Sequence, residues 1–180
     1  MTNAIERASG MRARLASGLS GGLLLHFGWS VRSISFGDAS RFLRQHHEHC
    51  PPPVGWRFGA ALWNGPTLCG VVTVGRPVAR MIDHRTCVEV TRLCIRRDLP
   101  RTLTRNACSK LYGWAAKESR RRGFSKIITY TRADTESGVS LSASGWEQES
   151  RSNGGTRARA SRPFRSNHNV TAKIRWARHL

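Results

Sequence analysis

The sequence predicts one mixed α/β (α+β) domain, a central sheet flanked by helices, with basic flexible stretches at both ends. Three observations carry this expectation. The 180 residues are 39% apolar, enough for a single core. Runs that alternate every two residues are interleaved with runs of helical period, the pattern of one sheet packed on helices. Residues 150–180 hold no acidic side chain but eight basic ones, while the first 28 residues form a basic leader with a short, glycine-broken apolar run. The expected organisation is a leader over 1–28, a folded domain over 29–165, and a basic strand or tail over 166–180.

In chain order, Ser30 to Phe36 alternate as a short strand. Asp38 is placed to cap a helix running to about His49, where Pro51, Pro52 and Pro53 stop it. "WRFGAALWNG" and "TLCGVVTVGRP" are β-rich runs joined by Asn64, Gly65 and Pro66, which reads as a hairpin. "CVEVTRLCI", residues 87–95, is the next strand; strict alternation puts Val88, Val90, Arg92 and Cys94 on one face and Glu89, Thr91 and Leu93 on the other. After "RRDLPRT", the residues Ala107, Leu111, Trp114 and Ala115 make one helical stripe, closed by the cationic "KESRRRG" at Gly123. "SKIITYT" is a strand, "TESGVSLSASGW" a loop with a short helix, and "WEQESR" the start of another strand. "VTAKIRWA" fits one more strand at the sheet edge.

A formal charge of +19, from 30 basic against 11 acidic residues, attracts polyanions over a long range. Most of the cations are arginine, which suits bidentate phosphate contacts, although arginine-rich coding bias would also produce them. Cys50, Cys69, Cys87, Cys94 and Cys108 form no CxxC pair and are odd in number, which points to reduced thiols in a cytoplasm. No apolar run approaches the roughly 20 residues that span a bilayer, so no membrane partner is expected.

"HHEHCPPP" invites a metal reading. On a helix, however, His46 and His49 share a face while His47 lies about 100° away, and the second ligand pair of a structural zinc site is missing. No metal is expected. A histidine with its pKa near about 6.5 can take a proton from an amine at neutral pH, so His46 and His47 are candidates for base catalysis or acceptor recognition. The alternative is an exposed helix end whose histidines favour the C-terminal dipole. Glu89 is costly in a central strand unless paired or functional, and Arg92 reads as a substrate or phosphate clamp or as the partner of a core carboxylate. Trp56, beside Arg57, is placed for an exposed stacking role.

The order of elements, with "VEVTRLCIRRDLPRTLTRNACSKLYGWAAKESRRRGFSKIITY" and "GVSLSASGW", resembles the central part of the GNAT N-acyltransferase superfamily. "HHEHCPPPVGWRF", "EVTRLC", "NACSKLYG", "ITYT" and "SASGW" look like a GNAT-like family of phages and conjugative elements, and distantly like the phage Mom proteins that modify adenine in DNA. The resemblance spans about residues 30 to 165. It implies a fourth strand splayed from the fifth, acetyl-CoA or another acyl-CoA in the wedge, and pyrophosphate on amides at the next helix start. In this chain those amides are around Thr104 to Ala107, with Arg101, Arg105, Asn106 and Ser109 completing the cofactor side.

Two departures stand out. The usual Q/R-x-x-G-x-G/A loop reads "RTLTRNACS", without a glycine, and the tyrosine that often protonates the leaving thiolate is replaced by Leu141, with Tyr130, Ser140 and Ser142 nearby. On the acceptor side the expected acid–base groups are His46, His47, Glu89 and Asp134, and the expected substrate contacts are Arg92, Tyr130 and Trp56. Asp134 matches an aspartate that follows the fifth strand in Mom-like proteins, while its position in "RADTESG" also suits a turn. Together these imply an acyltransferase of a phage or mobile element, in the cytoplasm of a bacterial host, with DNA as partner. The rivals are a non-catalytic nucleic-acid-binding protein on a degenerate GNAT fold, and an acetyltransferase of a small molecule or protein.

Overall fold

The computed structural model describes residues 28–47, 55–154 and 171–180; the expectations for the leader, for His49, Cys50 and the proline brake, and for most of the basic tail lie outside these residues. The strands are β1 (Trp29–Ser33), β2 (Trp56–Asn64), β3 (Thr67–Gly75), β4 (Cys87–Ile95), β5 (Lys126–Arg132), β6 (Glu147–Ser152) and β7 (Lys173–His179). They form one sheet in the order β1-β2-β3-β4-β5-β7-β6. The helices are α1 (Phe36–His46), α2 (Ala107–Arg121) and the short α3 (Val139–Ser142). Among the described strands only β4 and β5 run parallel; every other pair is antiparallel. This is the mixed sheet flanked by helices that the sequence predicts.

The four-residue spacing of Ala107, Leu111 and Ala115 gives α2 an apolar stripe, which buries against Phe58, Leu62, Val72, Val74, Val88 and Ile127. On the other face Phe42 and Leu43 of α1 cover Ala61, Val71 and Cys94. Farther along that face, Ile82 from the β3–β4 loop covers Cys87, Ile128 and Ala177.

Local expectations change at four places. The first strand ends at Ser33, and α1 is capped by Ser35 rather than Asp38. Ser35 Oγ accepts the Asp38 N–H at 3.1 Å and donates to the Asp38 carboxylate at 2.8 Å, so Asp38 supports the cap from the first turn. The helix then stops at His46, with His47 as its C-cap, short of His49. Third, β7 is not an edge strand: it lies between β5 and β6, because Trp176 and Ala177 bury and Trp176 Nε1 donates to Thr131 Oγ1 at 2.9 Å.

The fourth change matters most for the site. Thr73 pairs with Arg92 but Val74 pairs with Val90, so Thr91 is an extra residue in β4, a bulge that reverses the alternation. Leu93 therefore joins Val88 and Val90 on the α2 side, while Arg92 and Cys94 share the face of Glu89. A hydroxyl contact between Thr73 and Thr91 at 2.9 Å ties the bulge to β3.

Pairing of β4 with β5 covers only Cys87–Glu89 against Lys126–Ile128. Beyond it β4 follows β3 to Ile95 and β5 follows β7 to Arg132, so the two strands splay. At the apex the Thr129 hydroxyl donates to the Val90 carbonyl at 3.0 Å, replacing the ladder bond that the splay removes.

Candidate active site

The open end of the wedge faces the start of α2. After Pro100 a single 3-10 turn, Arg101–Leu103, leads to Asn106, whose φ of 59° and ψ of 12° are left-handed. Counted from Arg101, the two glycine positions of the expected loop are Thr104 and Asn106. Thr104 has φ −126°, which any residue adopts, and asparagine is among the few side chains that accept the left-handed region. Neither position therefore requires glycine for its backbone conformation.

The amide donors move relative to the sequence expectation. The N–H groups of Thr104 and Arg105 donate to the Arg101 carbonyl, at 3.2 and 2.8 Å, and that of Ala107 to Thr104 at 3.0 Å. Donors for an anion are therefore the first-turn amides of Cys108 and Ser109, which an α-helix leaves without intrahelical acceptors. Ser109 turns its hydroxyl to the Ser140 carbonyl at 3.4 Å, fastening α2 to α3. Arg101 and Arg105 are exposed beside this helix start.

At the apex, on the opposite face of the sheet, stands Glu89. It is 6% exposed and accepts the Val78 N–H at 2.9 Å. Burial raises its pKa, opposed by the Val78 amide and by the charges of Arg92 and Lys173. Because of the bulge Arg92 projects from the same face, its Nη1 donating to the Thr91 carbonyl at 2.6 Å. Tyr130, one β5 position beyond the splay, joins the group; burial raises its pKa, while a hydrogen bond with Arg175 acts against that. Arg175, opposite Tyr130 on β7, also donates to Glu149 at 2.7 Å. A carboxylate that holds its proton more readily than usual thus sits among a phenol and two guanidinium groups.

The other expected groups lie elsewhere. The His46 carbonyl accepts from the Cys94 thiol at 3.4 Å and its ring lies 4.6 Å from that of Phe42. Cys94 is five residues along β4 from Glu89, about 16 Å. His46 and His47 thus flank the far end of this face and are not brought to Glu89. Asp134 is exposed after β5 and pairs with Arg132 at 3.0 Å, which lowers its pKa. Trp56 is half-buried, its ring lying over Gly59 and 5.6 Å from that of Phe36, so it packs rather than projects. Leu141 is 1% exposed and belongs to the core.

Two groups were missed from sequence. Arg175 lay in a stretch read mainly as charge, although its alternation with buried Trp176 could have revealed it. Tyr112 stacks edge-on with Trp146 at 5.5 Å, and burial raises its pKa, with Cys108 one helical turn before it. Among the described residues no group of three or more His, Cys, Asp or Glu is arranged to hold a metal, and no helix is long and apolar enough to cross a membrane.

No protein-family model matches the sequence, and no curated protein matches it. Solved structures do. The chain is similar to an acetyltransferase from Bacillus subtilis in complex with CoA, with a TM-score of 0.57 and 12% identity over 85% of this chain and 99% of that one. It is similar to yncA of Salmonella typhimurium, solved with its cofactor acetyl-CoA, at TM-score 0.59 and 11% identity, covering 84% and 93%. An N-acetyltransferase from Staphylococcus aureus Mu50 gives 0.60 and 9%, covering 84% and 98%. At such identities the likeness is one of fold: the chain has the GNAT acetyltransferase fold.

Proposed function

We propose that the protein is an acyl-CoA-dependent N-acyltransferase of a phage or mobile element, whose acceptor is an amine on a DNA base. The observation that carries this reading is the buried Glu89 at the apex of a β4–β5 splay whose open end faces a helix start. The residues present fit acyl-CoA: the Cys108 and Ser109 amides with Arg101 and Arg105 would hold its phosphates, and the loop tolerates its missing glycines through Asn106. Bound there, acyl-CoA supplies a thioester whose acyl carbon forms a bond to the amine nitrogen as the C–S bond breaks.

Glu89 receives the proton that the amine must lose, and its raised pKa brings it nearer to the affinity a base needs at neutral pH. Arg92 and the Tyr130–Arg175 pair orient the acceptor from the same face, and Arg92 and Arg175 favour an acceptor that carries phosphate. His46 and His47 contribute recognition at the far end of the face, with Asp134 at its margin. DNA is favoured as acceptor by the +19 charge and by the Mom-like motifs.

Mass analysis of nucleosides from DNA of a bacterial host expressing the protein tests this reading. An acylated nucleoside is expected with the wild type and not with Glu89→Gln. An unmodified digest from cells containing active acetyltransferase would move the acceptor to a small molecule or protein. The buried Leu141, which offers no proton to a thiolate, favours a second reading: a nucleic-acid-binding protein that has lost transfer chemistry.

A further inference from the structure

The end of α2 remote from the wedge, about 20 Å from the first-turn amides, holds a separate feature. It is an open concavity of about 520 Å³ lined by Arg57, Phe58, Arg121, Arg122 and Phe124. Two of its guanidinium groups lie on aromatic rings: Arg122 over Phe58 at 4.3 Å and Arg57 over Phe124 at 5.0 Å. Stacking holds the planar groups flat and leaves their N–H edges to accept an anion. Arg57 Nη2 donates to the His84 carbonyl at 2.9 Å, whereas its Nε, shielded from solvent, has no hydrogen-bond partner among the described residues. Arg121 and Arg122 share the one carboxylate of Glu118, at 2.6 and 2.7 Å, so the group keeps a net positive charge. The C-terminal dipole of α2 accounts for cations on the helix itself, but not for Arg57, which comes from β2.

The position of this concavity gives it a direction. The loop between β3 and β4 bonds to Arg57 through His84 at one point and to Glu89 through Val78 at another. Between the two contacts Arg80 is exposed, and Arg76 and Arg85 are exposed just outside them. The only carboxylate of that loop, Asp83, accepts from the Arg85 amide and the Thr86 hydroxyl within the loop. A track of cations therefore runs from the concavity toward the candidate base.

We infer that the concavity is a phosphodiester-binding site that holds the backbone of a DNA strand outside the active site and leads it over the β3–β4 loop. Its effect on transfer rests on the reading of DNA as acceptor; the binding does not. The test is fluorescence anisotropy of a labelled DNA duplex titrated with the full chain at several salt concentrations. The wild type is compared with Arg121→Gln/Arg122→Gln, and with Arg32→Gln/Arg44→Gln, which removes two exposed charges elsewhere. Removing two phosphate contacts should lower the slope of log K against log salt by about 1.8, and weaken binding more than the control pair does. Titration with acetyl-CoA should be the same for all three proteins, which reports an intact fold and cofactor side. Equal losses in the two double variants would overturn the site, as would displacement of DNA by poly-glutamate at equal charge. An unmodified nucleoside digest combined with a pocket-specific loss of binding would remove the DNA-modification reading and leave the site standing.

Discussion

A carboxylate that is 6% exposed in a central strand carries a desolvation cost that the Val78 N–H and the charges of Arg92 and Lys173 only partly offset. Because burial raises the Glu89 pKa, its protonated form is the one that favours folding. That contribution is fully present below the ordinary value of 4.5 and is lost as pH rises through the folded-state pKa. Glu89→Gln keeps the volume and the bond from Val78. It is expected to melt higher than wild type at neutral pH, with the gap closing below 4.5, while transfer falls by about 10²- to 10⁴-fold. Melting curves across pH beside acetyl-transfer rates check this; a variant both unstable and fully active contradicts it. Asn106 sets a second residue-scale test. Asn106→Gly should leave urea stability within about 0.5 kcal/mol, whereas Asn106→Ala should cost about 1 kcal/mol, since only the alanine lacks both freedom and local polarity at φ 59°. Glu89 was legible in the sequence because an acid stands out in an apolar strand. The role of Asn106 was not, because a motif scan for glycine tests identity and not backbone conformation.

At the scale of elements, β4 shows where sequence periodicity fails. Its bounds, Cys87–Ile95, follow from composition, but a uniform two-residue period cannot register one extra residue. The Thr91 bulge moved Arg92 to the face of Glu89 and turned a candidate clamp into a neighbour of the candidate base. In β7 the arginines at Arg175 and Arg178 likewise hide the burial of Trp176 and Ala177 from a reading of charge. The splay itself hangs on Thr129, which is 4% exposed and serves the Val90 carbonyl across the gap. Thr129→Val keeps the shape but leaves that carbonyl without its donor, and should cost about 1–3 kcal/mol in chemical denaturation. No loss of stability would show that the hydroxyl is dispensable and that water serves the carbonyl instead.

For the whole molecule, the order of strands and helices was readable because each apolar run had the period and length of its element, and that order fits few folds. The candidate site was readable only in part. The sequence points to the buried acid and to the basic loop before α2, but His46 and His47 depended on how far α1 runs and where its end docks, which is decided by Cys94 and Phe42 packing at the far end of β4. The wedge should bind acyl-CoA without the usual glycines. Calorimetric titration of the full chain with acetyl-CoA tests it most directly. Saturable binding with one site per chain is expected, weakened in Arg101→Gln/Arg105→Gln and retained in Asn106→Gly; no binding heat up to about 1 mM cofactor, a threshold worth about 4 kcal/mol, would contradict it.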